Sequence, residues 1–535
     1  MTLREGDGKR SLPALAESFA PARRRETAQW RPPAAFVMNV VTLKCVHPED
    51  SIPPSPIRRW NWQTAAPWIG WLLLLGRRLV LVLLAAAGCA FSSAQVVNYP
   101  QETGYGRLCA RWHYPFTING ATITVGQAEG NLNGAYLPDV VNPDFTHVIF
   151  QVMDGDSPVS GHATDVGTLL YGVPLSLSPA VPEVKLYKAD LSLNSGFLVS
   201  PTGLNWLDPA GPVDLGVDIL NNSWVINTGV APVATQLLRR ADWMADAYDI
   251  VVVAGVSNDS TAPISQLFSS MYNDITVGLS DGQCSRGPTV FLETDGVTAG
   301  RCKPDIVAPL PVGSSATPVI SSYAAMLLDE VHLRTAAGQT AFANGIKPVV
   351  IKSILQTGAN KLPGWAKGDP TTTADDETSP LDWQQGAGQV DIDHSELILS
   401  TGAQPPGWVN WLGWTYEPSI APGDSRLYYF ILNQDTARRF AATLNWHRKI
   451  SSTGIAQTID HAVLAHLQLE FYTFADGAFT LLQASRSPID NLQHIALPTL
   501  ANGLYILRVV NVGDQPTDYG FSWGCLPAIE SDIGP

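Results

Sequence analysis

From about Ala121 to Asp393 the chain alternates short apolar runs with stretches whose apolar residues recur at three- and four-residue spacings. Parallel strands cannot be joined by tight turns, so strands alternating with amphipathic helices imply a parallel sheet covered by helices. Expected strands are Ile123-Thr124-Val125, His147 to Val152, Leu215 to Leu220, Ile250 to Ala254, Asp274 to Gly278 and Asp305 to Ala308. Between them, Leu237, Leu238, Ala241, Ala245 and Tyr248 mark a helix over Ala231 to Tyr248, and Lys347 to Gln356 reads as another. After Gln404 the pattern changes. Pro405-Pro406-Gly407 is followed by aromatic-rich runs at Leu427 to Leu432, Val463 to Phe474, Phe479 to Gln483 and Leu504 to Asn511, separated by turn residues. These predict an all-β sandwich. The expected division is an N-terminal extension with signal peptide (1–94), a short segment (95–120), an α/β domain (121–404) and the β-sandwich domain (405–535).

A length of 535 residues with 45% hydrophobic content supports more than one folded unit. The net charge of −15 is unevenly spread. Residues 1–94 carry 12 Lys/Arg against 6 Asp/Glu, and the remainder 21 against 42. So acidic a body disfavours nucleic acid as a partner, since phosphate recognition needs clustered cations. Arg77-Arg78, the apolar run Leu79 to Ala87 and the small residues Ser92-Ser93-Ala94 have the layout of a secretory signal, with cleavage expected after Ala94. Joining that run to Trp68–Leu75 would put both arginines inside a span at a cost of several kcal/mol, so no stable membrane span is expected in the mature form. Ala86-Ala87-Gly88-Cys89 loosely resembles a lipoprotein box, which leaves anchoring at Cys89 open. The expected location is secreted or cell envelope.

Cys109, Cys284, Cys302 and Cys525 lie beyond the signal. Two disulfides are possible, Cys284–Cys302 being the most local pairing and Cys109–Cys525 its complement; buried thiols are the alternative. No zinc-like His/Cys spacing occurs, and Asp154-Gly155-Asp156 reads as a solvated turn rather than a calcium loop, so neither metal nor cofactor is expected.

Four segments could carry chemistry. Gln127-Ala128-Glu129-Gly130 ends a strand with an acid, and Gly161-His162-Ala163-Thr164 opens a helix with a histidine. Val251 to Ala254 leads into Gly255-Val256-Ser257-Asn258, and Ser314-Ser315-Ala316-Thr317-Pro318 precedes an apolar helical run. Their order, acid, histidine, asparagine, serine, resembles that of the subtilisin-like serine peptidases. That resemblance spans about 280 residues and extends to Asn222-Ser223-Trp224, which is similar to the family's substrate-pairing edge. Lys303 to Pro309 is similar to the strand before the serine, and Gly386 to Asp391 to the closing segment.

The resemblance implies a subtilisin-like parallel sheet and an endopeptidase acting on protein or peptide through an acyl-enzyme. His162 would be the general base, Asn258 the oxyanion donor and Ser314 the nucleophile. Ser315 remains an alternative; Ser314 is preferred because Pro318 is expected to mark the helix start. Glu129, 33 residues before His162, would orient the imidazole where the family has aspartate, with Asp154 the other candidate acid. The altered acid and the short link from Pro309 to Ser314 leave open a non-catalytic binding protein on the same fold. A third reading makes the sandwich the functional part, with Trp408, Trp411 and Trp414 stacking on sugar rings or forming a buried cluster.

Overall fold

A computed structural model describes residues 99–111, 118–131, 133–189, 212, 214–294, 296, 299–434, 436, 438–451, 461–475 and 477–527. The signal-like run, its cleavage position and Cys89 lie outside the described residues. A short helix, α1 (Tyr105–Arg111), precedes the sheet. The strands that follow are β1 (Thr124–Gly130), β2 (Ile149–Val152), β3 (Glu183–Ala189), β4 (Ile219–Asn222), β5 (Val251–Gly255), β6 (Asp274–Leu279) and β7 (Ile306–Ala308). They form one parallel sheet in the order β2-β3-β1-β4-β5-β6-β7. Interleaved are α2 (Gly161–Leu170), α3 (Ala231–Ala247), α4 (Gly313–Ala336), α5 (Pro348–Gly358) and α6 (Ile392–Leu399).

Both faces of the central strands β4, β5 and β6 are covered, which explains why β5 reads as a continuous apolar run, whereas the edge strand β2 is largely exposed. Val251 and Val253 of β5 join the core that includes Val319, Ile320 and Tyr323 of α4. Val252 and Ala254, pointing the other way, join the core built on Leu237, Leu238, Ala241 and Met244 of α3. One strand, β3, is absent from the sequence reading. Its alternating sequence Glu-Val-Lys-Leu-Tyr-Lys-Ala has the half-polar pattern of a strand near an edge, and it lies between β2 and β1.

Beside two short two-stranded pairs, Gly287–Pro288 with Cys302–Lys303 and Lys449–Ser451 with His461–Val463, the remaining strands form two large sheets. One has the order β8 (Gly407–Trp408), β10 (Ser425–Leu432), β15 (Gly503–Asn511), β12 (Leu467–Ala475), β13 (Ala478–Ser485); the other β9 (Leu412–Ile420), β16 (Thr517–Pro527), β11 (Arg438–Asn445), β14 (Leu492–Leu500). Their facing sides share one core, with Phe430, Phe471 and Leu507 from the first meeting Phe440, Ile495 and Phe521 from the second. This is the expected sandwich. The four-stranded sheet turns its outer side to the α/β part. There Thr357 of α5 is hydrogen-bonded to Thr443 at 2.8 Å and to Ser522 at 2.7 Å. Gly520 is required at that contact, since a Cβ there would sit 2.5 Å from the Val349 carbonyl.

Cys284, Cys302 and Cys525 are buried thiols and Cys109 is an exposed one, so of the two open alternatives the thiols stand and neither disulfide forms. Cys284 accepts the Leu279 N–H at 3.3 Å, and the Cys302 thiol donates to the Leu381 carbonyl at 3.2 Å. Burial raises the Cys525 thiol to about 12. The three tryptophans divide. Trp414 is wholly buried and donates its indole N–H to the Leu399 carbonyl at 2.9 Å, Trp411 packs against the sandwich core, and Trp408 is 69% exposed beside Tyr429. No helix of the described residues is long and apolar enough to cross a membrane.

Candidate active site

The candidate residues lie at the carboxyl ends of β1 and β5 and at the amino ends of α2 and α4. Glu129 is the penultimate residue of β1, beside β4 at the middle of the sheet, and is 1% exposed. His162 is the second residue of α2. The helix starts there because Ser160 caps it, its hydroxyl accepting the Ala163 N–H at 3.2 Å. His162 Nδ1 stands 2.9 Å from Glu129 Oε2. The hydrogen bond to Glu129 raises the imidazole above its ordinary 6.5, against the opposing effect of burial, and the charges of Glu129 and Asp165 add to the rise. Such a pair contributes stability that is fully present below the ordinary histidine value and lost as pH rises through the folded value.

Asp154 is elsewhere. It follows the edge strand β2, separated from β1 by β3, and its carboxylate accepts the Lys188 N–H at 2.8 Å. Burial raises its pKa. Of the two carboxylates, Glu129 is the one the fold brings to His162.

Helix α4 begins earlier than Pro318 suggested. Gly313 is its first residue, and Pro318 lies inside the helix, where it withholds the N–H that would have bonded the Ser314 carbonyl. The entry is set by glycine. A Cβ on Gly313 would stand 2.8 Å from the Val256 carbonyl, so only glycine allows α4 to start against the loop after β5. The Gly313 N–H donates to Asn258 Oδ1 at 2.7 Å. That bond assigns the amide's orientation and turns Nδ2 away from Gly313.

Two donors are consequently unused. Among the described residues neither Asn258 Nδ2 nor the Ser314 N–H carries a hydrogen bond, whereas the Ser315 N–H donates to Val312 at 3.0 Å. Ser314 occupies the first turn of a 24-residue helix, where free N–H groups and the dipole favour an anion. Helices α2 and α4 pack against each other. No hydrogen bond links His162 to Ser314 or Ser315 among the described residues.

Asn222 ends β4 and is buried, as are Ser223 and Trp224, whose indole lies 5.2 Å from the Phe268 ring; Val225 is exposed. Asp391, Asp393 and His394 have ligand atoms close enough together for a metal. Arginines already fill that role. Arg107 pairs with Asp391, Arg111 Nε donates to Asp393 at 2.8 Å, and Arg439 contacts His394 at 2.8 Å, so the cluster fastens α1 and the sandwich to α6.

No family model matches this chain, and no curated protein does. Among solved structures, the prenylagaramide maturation protease PagA is similar at 20% identity and a TM-score of 0.36, over 55% of this chain and 98% of that one. Fervidolysin from Fervidobacterium pennivorans, a keratinolytic enzyme related to subtilisin, is similar at 13% identity and a TM-score of 0.30, over 76% of this chain and 74% of its own. The pre-peptidase C-terminal domain of a collagenase from Bacillus anthracis covers 23% of this chain at 13% identity and a TM-score of 0.17.

Proposed function

We propose that the chain is an exported serine endopeptidase that cleaves peptide bonds through an acyl-enzyme. The observation that carries the reading is the His162–Glu129 hydrogen bond of 2.9 Å, on a helix packed against the one whose first turn bears Ser314, together with the unoccupied donors Ser314 N–H and Asn258 Nδ2. In the proposed reaction His162 takes the hydroxyl proton of Ser314 as its oxygen attacks the carbonyl carbon, and Glu129 stabilises the imidazolium that results. Asn258 Nδ2 and the Ser314 N–H receive the negative oxygen. His162 then returns the proton to the departing amine, and water releases the acyl group by the same steps. Ser314 is favoured over Ser315 because its own N–H is free to serve the oxyanion. Val225 and the neighbouring end of β4 are the proposed edge for an extended peptide. Export rests on the signal-like run before Ala94.

The absence of a hydrogen bond between His162 and Ser314 favours a second reading, a binding protein on the same fold. Labelling with a fluorophosphonate separates the two. Adduct on the peptide containing Ser314, with hydrolysis of casein, is expected; a folded chain that takes no label and cleaves nothing would make it a binding protein.

Two further outcomes test the assigned roles. Because His162 must be neutral to act as base and its pKa is raised, kcat/KM should rise with pH through a midpoint above 6.5. Glu129→Gln should move that midpoint to lower pH while reducing the plateau; an unmoved midpoint would remove Glu129 from the role. Asn258→Leu should lower kcat by about 10²- to 10³-fold with KM little changed, as loss of one oxyanion donor does. A change confined to KM would instead assign Asn258 to substrate binding.

A further inference from the structure

The acid of the site carries one methylene more than aspartate, so it has an extra torsion to restrain before its carboxylate can hold an imidazole. The restraint is visible one strand period earlier. Gln127 and Glu129 lie on the same face of β1, and Gln127 is 0% exposed. Its Nε2 donates to Glu129 Oε1 at 2.9 Å and to the Ala163 carbonyl, in the first turn of α2, at 2.8 Å. Its Oε1 accepts the hydroxyl of Tyr171, the residue that closes α2, at 2.6 Å.

The amide's orientation follows from its neighbours. Turned over, it would set Oε1 against both a carboxylate oxygen and a carbonyl oxygen, two acceptors with no proton between them. The Tyr171 hydroxyl stays protonated, since burial raises its pKa well above 10.0. Gly167 makes room for it, because a Cβ there would stand 2.4 Å from the hydroxyl. The rings of Phe145 and Phe150, edge-on at 5.0 and 5.8 Å, hold the tyrosine in place.

We propose that Gln127 is a positioning residue whose carboxamide ties the Glu129 carboxylate to both ends of the helix carrying His162. Glu129 then spends one oxygen on Gln127 and has the other directed at the imidazole. Tyr171 positions Gln127 in turn. Nothing in a lone strand of this sequence would order the glutamate; the three buried groups do so only together. The consequence for rate rests on the peptidase reading, but the effect on the imidazole does not.

The charged groups facing His162 are Glu129 from β1 and Asp165 from its own helix, and the first turn of α4 carries no acid. The experiment is a histidine ¹³C NMR titration of the full chain in a Ser314→Ala background, with and without Gln127→Leu, beside casein kinetics of the Gln127→Leu enzyme with Ser314 intact. The His162 midpoint is expected to fall toward its ordinary value in Gln127→Leu, and kcat to fall about 10- to 100-fold with KM within about twofold. In a Glu129→Ala background the same substitution should change kcat less than about twofold, because its effect runs through Glu129. An unmoved His162 midpoint in folded Gln127→Leu protein, or an equal loss of rate without Glu129, would overturn the proposal. Tyr171→Phe removes a single hydroxyl and serves if Gln127→Leu does not fold; it should move the midpoint the same way by less, and no movement would count against the proposal. A wild-type chain that cleaves nothing while the midpoint still moves would sink the peptidase reading and leave the positioning role standing.

Discussion

Ser314→Ala is expected to lower casein hydrolysis by about 10⁴-fold or more and to abolish labelling by a fluorophosphonate, with no loss of folding. The size follows from the chemistry. Without the hydroxyl there is no oxygen for His162 to activate and no acyl-enzyme, and what remains is the effect of the oxyanion donors on direct attack by water. Folding should survive because Ser314 Oγ makes no hydrogen bond among the described residues and sits at a helix start that Gly313 defines. Ser315→Ala is the control. Its hydroxyl also makes no hydrogen bond among the described residues, but its N–H is held by Val312, so the oxyanion register at Ser314 predicts nearly full activity. Loss in Ser315→Ala with retention in Ser314→Ala would shift the nucleophile by one residue. Equal retention in both would remove serine catalysis altogether.

Arg448→Met is expected to destabilise the protein by about 3–5 kcal/mol at neutral pH. Arg448 follows β11 and is wholly buried where the sandwich meets α3. Its guanidinium bonds Asp242 at 2.8 Å and Glu293 at 2.6 Å, and it lies 4.4 Å from the centre of the Tyr272 ring. Its backbone and Asn273 exchange two further bonds, at 2.8 and 2.9 Å. Methionine fills much of the volume but leaves buried Asp242 without its arginine and Glu293 with Arg239 alone, which costs far more than the pair contributes against an apolar core. Urea denaturation should show a lower midpoint with an unchanged slope. A loss below about 1 kcal/mol would mean that the Asp242 bonds to Tyr272 and Asn273, with Arg239 beside Glu293, suffice without the arginine. A separate early transition would instead show that the sandwich unfolds by itself.

The interface that Arg448 anchors was not legible in the sequence, because its groups come from Asp242, Glu293 and Arg448, up to 206 residues apart. The same distance effect hid the Gln127–Tyr171 bond. A glutamine within an apolar strand is a visible oddity, but besides Glu129 its partners lie 36 and 44 residues away. Strand β3 escaped because its half-polar alternation lacks the continuous apolar signal of its neighbours. Pro318 misled for a local reason, since the glycine contact at Gly313 outweighs the usual preference of proline for a first helical turn.

What the sequence determined by itself was whatever depends on short-range periodicity and chain order. Apolar runs and helical spacings were enough to specify a parallel sheet under helices and then a sandwich, since each element must bury its own apolar face. The order of Glu129, His162, Asn258 and Ser314 placed a candidate at a strand end, a helix start, a loop after a strand and a second helix start. The tertiary structure decided which carboxylate reaches the histidine, which N–H groups stay free and which thiols stay apart. Those outcomes turn on separations of about 3 Å, the range over which a hydrogen bond forms or fails, between segments that only packing brings together.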